Sequence, residues 1–581
     1  MRKGNVMNRK NLTETIIKSI SAHPYLSALG ICLIINPFFL GATDNIPSNA
    51  LWIETFIITA LIFTFGYYRY KTDKLNKSGF IIFTVSAVTA NLSAVSLYAS
   101  SENKAIWHFT GGYVILFILY CLSDSKKYRT QLNSLLITGT GFLLKMYYVL
   151  QTSVYTRQHD LGSFGSDVGH AGYIEYLLFN HHIADFDVRD RWQFYHPPLH
   201  HAISALWIYI NENIFLTGRD PARESLQTLT LFYSMCIIIS AYRILRHFRL
   251  NGKALYIPLT IISFHPAFIL LSGSINNDVL SVAFTLGAVI TTLKWYENPT
   301  LKNILKIAVC IGLGMMTKLS TALVAPSVAV IFLIVFIRKI RTDGKKLLIQ
   351  FCAFAGVCCP LGLWYGIHNF IKWKIPLTYV QELDKGMLQY IGNQNFLSRI
   401  TDFSPKQFRS VFIQWAYEEN GEVMGYNEYN PLVAILKNSL FEEGINEGCF
   451  PANSFMNKAA TVFFVIGAVI ALYAFIAMII MCFRKCRINT DEKIFFVVFY
   501  LTMMINFYKM CHDYPFTCTM NFRYITPTVI TGALFTGIMS DKIISCKTKA
   551  GRIAIYITET MTLLFAVLTI IVYLAVGCMS E

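Results

Sequence analysis

The stretch TRQHDLGSFGSDVGHAGYIEY, residues 156–176, sets Arg157, His159, Asp160, Asp167, His170 and Glu175 close together in an otherwise apolar chain. A carboxylate beside an acceptor hydroxyl or amine can take up its proton as the acceptor attacks, which makes Asp160 and Asp167 candidate bases. His159 is suited to orient either carboxylate or to hydrogen-bond the acceptor. Seven of the thirteen histidines lie between His159 and His201. For any one of them a solvated or helix-capping role is the plain alternative, but their concentration marks a polar centre. Farther on, Asp278 in NNDVL, Lys318 in MTK and Arg523 in NFRY each stand at the end of an apolar run. Ionisable groups at a membrane boundary are functional or snorkel to the headgroups. Arginine grips phosphate oxygens in pairs and lysine acts as a point charge. Lys318, Arg523 and, less directly, Arg157 are therefore candidates to hold a phosphate or another anion.

A membrane must position these groups. Of the 581 residues 54% are hydrophobic and only 14% charged, against about 25% charged in an ordinary soluble domain. Apolar runs long enough to cross a hydrocarbon core as helix are predicted near 25–42, 51–69, 79–99, 105–123, 132–151, 226–245, 255–273, 276–294, 302–317, 319–338, 347–368, 458–483, 492–510, 522–540 and 552–577. The expected fold is an all-α polytopic membrane protein of about fifteen transmembrane helices. No A-x-A-like site follows the first run, so it is expected to be a retained helix.

The net charge of +16 sits in short loops between these runs: MRKGNVMNRK, YKTDKLNK, KKYR, RILRHFRLNGK, RKIRTDGKK, FRKCR and KIISCKTKAGR. They read as topology signals rather than a nucleic-acid surface, and the positive-inside rule places them and the N-terminus in the cytoplasm. Residues 152–225, 369–457 and 510–521 then lie outside. Residues 196–212, HPPLHHAISALWIYINE, are apolar enough to suggest another span. A crossing there would move RILRHFRLNGK outside, so this segment is expected to be an amphipathic surface helix started by Pro197 and Pro198. Tyr173, Ile174, Leu177 and Leu178 fall at helical spacing and predict a second surface helix, with Asp160 and Asp167 just before it. Fourteen cysteines show no CxxC pattern, which argues against a zinc finger or disulfide framework; Cys511 and Cys518 share one outer loop and could pair.

HD after the fifth run, the GHAGYI surface helix, FYHPPLHH, SGSINND, MTK and NFRYITP occur in that order. With them the chain resembles polyprenyl-phosphate-sugar-dependent glycosyltransferases of the GT-C superfamily, in the branch of the protein O-mannosyltransferases and the lipid A aminoarabinose transferase. The resemblance covers roughly residues 130–540. It implies that the acidic residue early in the first outer loop, here Asp160, is the base. The family often has Asp-Glu at this place, whereas this chain has His159 before Asp160, so Asp167 remains a rival. His196, His170, Glu175, Asn277 and Asp278 are expected to shape the sugar or acceptor site. Glu418 and Glu419, in the Tyr- and Asn-rich QWAYEENGEVMGYNEYNP, are expected on the acceptor side.

The expected organisation is residues 1–123, an N-terminal segment with four extra helices; 124–368, a GT-C-like module containing the 152–225 loop; 369–457, a long outer segment; and 458–581, C-terminal helices. The expected activity is transfer of a monosaccharide from a polyprenyl-phosphate donor to a glycan, lipid or protein acceptor by inverting displacement, outside the plasma membrane. No Gly-rich phosphate loop announces a nucleotide site, and no cofactor is expected. A divalent ion on Asp160, Asp167 and nearby histidines is a weaker alternative. A secondary transporter would place its charges mid-membrane in repeated, broken helices, and a metallohydrolase would show HExxH-like spacing.

Overall fold

The structure, a computed structural model, describes residues 22–39, 104–122, 129–392, 394–413, 417–419, 422–424, 428–450 and 454–577. The spans expected at 51–69 and 79–99, and the basic segments MRKGNVMNRK and YKTDKLNK, lie outside these residues. Among the described residues seven helices are long and apolar enough to cross a membrane: Arg219–His247, Asp278–Glu297, Leu319–Trp373, Phe455–Phe483, Thr490–Asp513, Thr528–Cys546 and Lys549–Gly577. The bent pair Lys253–Phe264 and Pro266–Gly273 makes an eighth. The chain is thus a multi-pass membrane protein. Pro24–Phe39, Lys104–Leu122, Arg129–Gln151 and Leu301–Thr317 are helical at expected positions but fall outside that count. One short antiparallel hairpin, Tyr417–Glu419 with Glu422–Met424, departs from the all-α expectation.

The runs expected at 319–338 and 347–368 join in one helical stretch, Ala325–Trp373. It cannot be straight. Phe332 and Phe351 stack with ring centroids 5.2 Å apart, yet nineteen residues along a straight helix span roughly 28 Å. The chain therefore doubles back over the basic residues between them, and both arms are available as spans. The bend in the Lys253–Gly273 pair, 42°, has a local cause. Pro266 has no N–H to donate and pushes His265 out of the helical region, to φ −66° and ψ 124°. The second half then delivers residues 273–278 to the site.

Helices form at both places where surface helices are expected, but Tyr173, Ile174 and Leu178 of the first are buried in the protein instead of facing the bilayer. Gly169–Asn180 packs against Leu199–Asn213, which starts from Pro198. The second has the reverse of a soluble helix's polarity: His200, His201, Ser204 and Asn211 face inward, while Leu206 and Tyr209 are exposed. That suits a helix lying in the membrane boundary with its apolar face to lipid. The loop ahead of it closes on itself tightly. Gly162 (φ 68°) and Gly169 (φ 76°) approach so closely that a Cβ on Gly169 would sit 2.3 Å from the Leu161 carbonyl oxygen. This closure lets the Asp160 and Leu161 carbonyls accept the His170 and Ala171 N–H groups at 3.0 and 2.8 Å. The Cys511 and Cys518 pairing is not formed; both are free thiols.

Gly169→Ala must add both left-handed strain and a backbone clash, whereas Gly165 (φ 90°) has open space around its Cβ position. We expect Gly169→Ala to cost more than the ~1–3 kcal/mol of dihedral strain alone and Gly165→Ala to stay within it. Thermal unfolding of the two detergent-solubilised variants compares them directly; equal midpoints would show that the close approach is not needed.

Candidate functional site

Arg523 is the hub. It stands in a short 3-10 turn, Phe522–Ile525, ahead of the Thr528–Cys546 helix, so the span expected from 522 begins later and leaves this residue at the membrane boundary. Its guanidinium meets the Asp160 carboxylate at 3.0 Å and Asp278 at 3.5 Å. It also donates to the Tyr524 hydroxyl at 2.9 Å. Lys318 ion-pairs with Asp278 from the other side and lies 5.4 Å from the centre of the Tyr524 ring. Burial opposes the charge on Arg523, but Tyr524, Asp160 and Asp278 outweigh it and hold the guanidinium firmly protonated.

The two carboxylates differ in access. The Asp160 side chain is 33% exposed and that of Asp278 5%. Asp160 can therefore meet a substrate, while Asp278 is sealed between two cations. Asp160 also has a left-handed backbone, φ 58°, a conformation aspartate tolerates better than most residues. Gln158 anchors this loop, donating to the Gly273 carbonyl and accepting from the Ile275 N–H, each at 2.8 Å. Asn277 donates to the Thr317 carbonyl at 3.1 Å, tying the turn that carries Asp278 to the turn that carries Lys318. Its role here is to fix two charged neighbours rather than to line the site.

Beyond Asp160 lies a second group, of which the sequence pointed to His159 but not to Glu442, Glu443 or Asn521. His159 ion-pairs with Glu442, and Asn521 donates to Glu443 at 3.0 Å and lies 3.5 Å from His159. The ligand atoms of His159, Glu442 and Glu443 lie within 4.8 Å of one another, a donor set of a kind divalent cations accept. If a divalent ion binds near the site, this set fits better than Asp160 with Asp167. Arg157, buried, passes its stem beside Gly444 and so belongs to this wall. A signal for the pair was present in FEEG: two carboxylates directly after an apolar helix meet the negative end of its dipole, which disfavours them unless something else holds them.

Burial pushes the His159 imidazole down, but the Glu442 carboxylate outweighs it and the net shift is upward. Glu442 is raised by burial and held by His159 at about 2. Burial pushes Glu443 up to about 7, opposed by His159 and assisted by Glu442.

His170 and His196 are brought to one side of the hub in a stack of imidazoles. His170 Nδ1 lies 2.8 Å from His201 Nε2, and the His170 and His196 rings stack at 5.6 Å. Burial holds all three well below the usual histidine range, the charges of Lys318 and Arg523 helping at His170 and His196. They act as neutral donors and acceptors. Glu175 is placed differently from expectation. It ion-pairs with Arg223 and accepts the Gly165 N–H, so its oxygens serve to pin the loop. Asp167 faces Arg191 at 3.5 Å on the loop surface, its side chain 70% exposed, away from the paired cations. Glu418 and Glu419 stand in the 417–419 strand opposite Val423 and Glu422.

An apolar cavity of about 580 Å³ adjoins the hub. His265, Leu436, Ala471, Phe522 and Val529 line it, so Arg523 follows directly on a residue of its wall.

Residues 196–364, from the HPPL motif into the doubled-back helix, match the family described as dolichyl-phosphate-mannose-protein mannosyltransferase. The chain resembles the GT-C glycosyltransferases. No curated protein matches it. Among solved structures it is similar to ArnT from Cupriavidus metallidurans, bound to undecaprenyl phosphate, at 10% identity and TM-score 0.44 over 76% of each chain. It is also similar to the archaeal oligosaccharyltransferase AglB from Archaeoglobus fulgidus, in complex with an inhibitory peptide and a dolichol-phosphate, at 13% identity and TM-score 0.43. That likeness covers 79% of this chain and 57% of the other.

Between pH about 4.5 and 7 the folded protein keeps a proton on Glu443 that the unfolded chain has lost, so stability falls as pH rises through this window. Glu443→Gln removes the effect without removing the acceptor for Asn521. Its unfolding midpoint is expected to exceed that of the wild type at pH 8 and to converge with it at pH 5. Parallel pH profiles would refute the raised affinity for a proton.

Proposed function

We propose that the protein transfers a monosaccharide from a polyprenyl-phosphate donor to an acceptor hydroxyl or amine at the extracytoplasmic face, by inverting displacement. The observation that carries this reading is the junction of Asp160, Arg523, Asp278 and Lys318 beside an apolar cavity. It sets a reachable carboxylate, paired phosphate-binding cations and room for a lipid chain next to one another. The match of residues 196–364 to a lipid-phosphate-sugar-dependent family supports the same chemistry. Charge supports this side: the basic stretches 243–253, 338–346 and 542–552 lie at helix ends away from the hub.

In this scheme the lipid phosphate docks on Arg523 and Lys318 with the isoprenoid chain in the cavity. The phosphate competes with Asp160 for the guanidinium, so donor arrival frees the carboxylate to act as base. The acceptor oxygen or nitrogen then bonds to the anomeric carbon as the bond from that carbon to the phosphate oxygen breaks. The acceptor proton passes to Asp160, and the charge left on the lipid phosphate is stabilised by the two cations. Neutral His170 and His196 flank the side from which the acceptor or sugar would approach. Asp278 holds Arg523 and Lys318 in place and does not itself meet the substrate.

Transfer from defined polyprenyl-phosphate sugars in liposomes tests the scheme. Asp160→Asn should abolish turnover while donor binding persists. Arg523→Lys, which keeps the charge and loses the paired grip, should lower it by roughly 10²–10³-fold, the scale of losing one preorganised charge-stabilising contact. Asp167→Asn should stay close to wild type. A wild-type protein that consumes no carrier sugar, or an active Asp160→Asn, would overturn the assignment.

A further inference from the structure

A groove of about 550 Å³ runs beside the Leu226–His247, Asp278–Glu297 and Leu301–Thr317 helices, from Leu280 near the hub toward the end of the bundle away from Arg523. Leu280, Phe284, Gly287, Thr291 and Lys294 line it along one face of the middle helix. From Leu280 to Lys294 this face runs roughly 21 Å, about the length of a phospholipid acyl chain. The wall is apolar until its last turn. There Arg243, Lys294 and Lys306 converge from three helices, with Asn303 beside them. Among the described residues none of the three cations forms an ion pair; Glu297, one turn beyond Lys294, faces His247 at 3.9 Å. Tyr25, from the Pro24–Phe39 helix, closes the mouth: its hydroxyl lies 3.0 Å from Ser240 Oγ, and the Arg243 guanidinium sits 5.4 Å from its ring centre.

We propose that this groove binds an acidic phospholipid, with its phosphate on Arg243, Lys294 and Lys306 and an acyl chain along the 280–291 wall. Three cations at the end of a lipid-length apolar channel, with Glu297 acting on Lys294 only at a distance and no ion pair among the described residues, match both halves of such a molecule. Basic pockets between spans at the cytoplasmic surface take anionic headgroups by the same logic. A zwitterionic lipid would fill the channel but leave the cluster's charge unanswered. A soluble phosphate would answer the charge but leave the channel empty. The cation cluster lies at the end of the groove away from the hub, and the proposal does not depend on the transferase reading.

Native mass spectrometry of the full chain released from detergent, titrated with phosphatidylglycerol or phosphatidylcholine, tests the proposal. We expect one phosphatidylglycerol to be retained preferentially. Arg243→Gln and Lys294→Gln should each weaken it by roughly fivefold, the scale of one basic residue near an anionic surface. Ala283→Phe, which fills the channel and leaves every cation in place, should weaken it as well, and millimolar inorganic phosphate should not displace it. Equal retention of the two lipids would overturn the proposal. So would displacement by inorganic phosphate combined with indifference to Ala283→Phe, which would mark a site for a free anion.

Discussion

The Arg523 guanidinium is the constraint on which the site depends. A buried cation is tolerated only when anions and hydrogen-bond acceptors surround it, and removing one partner of such a pair costs about 3–5 kcal/mol. Here the partners are Asp160, 363 residues away in sequence, Asp278 and the Tyr524 hydroxyl. Asp278 is in turn shared with Lys318. The first loop, the turn after the bent helix pair, the turn before the doubled-back helix and the turn before the Thr528–Cys546 helix must therefore arrive together. None of these positions is free to move without uncovering a charge.

Much of the polar content around this hub serves that arrangement rather than the chemistry. Gln158 locks the first loop to residues 273–275, Asn277 locks two turns to each other, and Glu175 with Arg223 clamps the loop from its outer side. Gly162 and Gly169 allow the backbone to close so that Asp160 is presented in its left-handed conformation. These supports hold the Asp160 carboxylate and the Arg523 and Lys318 cations at fixed ion-pair distances. Preorganisation of this sort is what makes electrostatic stabilisation effective, because little rearrangement is left for the reaction itself.

The adjoining His159, Glu442, Glu443 and Asn521 group extends the polar network without adding a net excess of either charge. His159 holds Glu442 ionised, while burial leaves Glu443 near neutrality. Two adjacent buried carboxylates cannot both ionise cheaply, so His159 holds the charge on Glu442 while Glu443 is pushed up to about 7. The site thereby contains acids of two kinds, a partly exposed one beside Arg523 and a buried one that exchanges a proton near physiological pH.

Sequence alone determined the membrane character, the positions of the long apolar helices that the structure describes, the helices at 169–180 and 199–213 and the candidacy of Asp160, Asp278, Lys318 and Arg523. Hydrophobic run length, proline position and the rarity of charge at membrane boundaries are local properties, legible one segment at a time. Tertiary structure decided the rest. It separated Asp160 from Asp167, turned Glu175 and Asn277 into supports, and brought Glu442 and Glu443 to His159. It also assembled Arg243, Lys294 and Lys306 at the far end of the bundle. Each outcome depends on which side chains meet across segments far apart in the chain, and a carboxylate's sequence neighbours do not reveal whether a guanidinium, an amide or water lies in front of it.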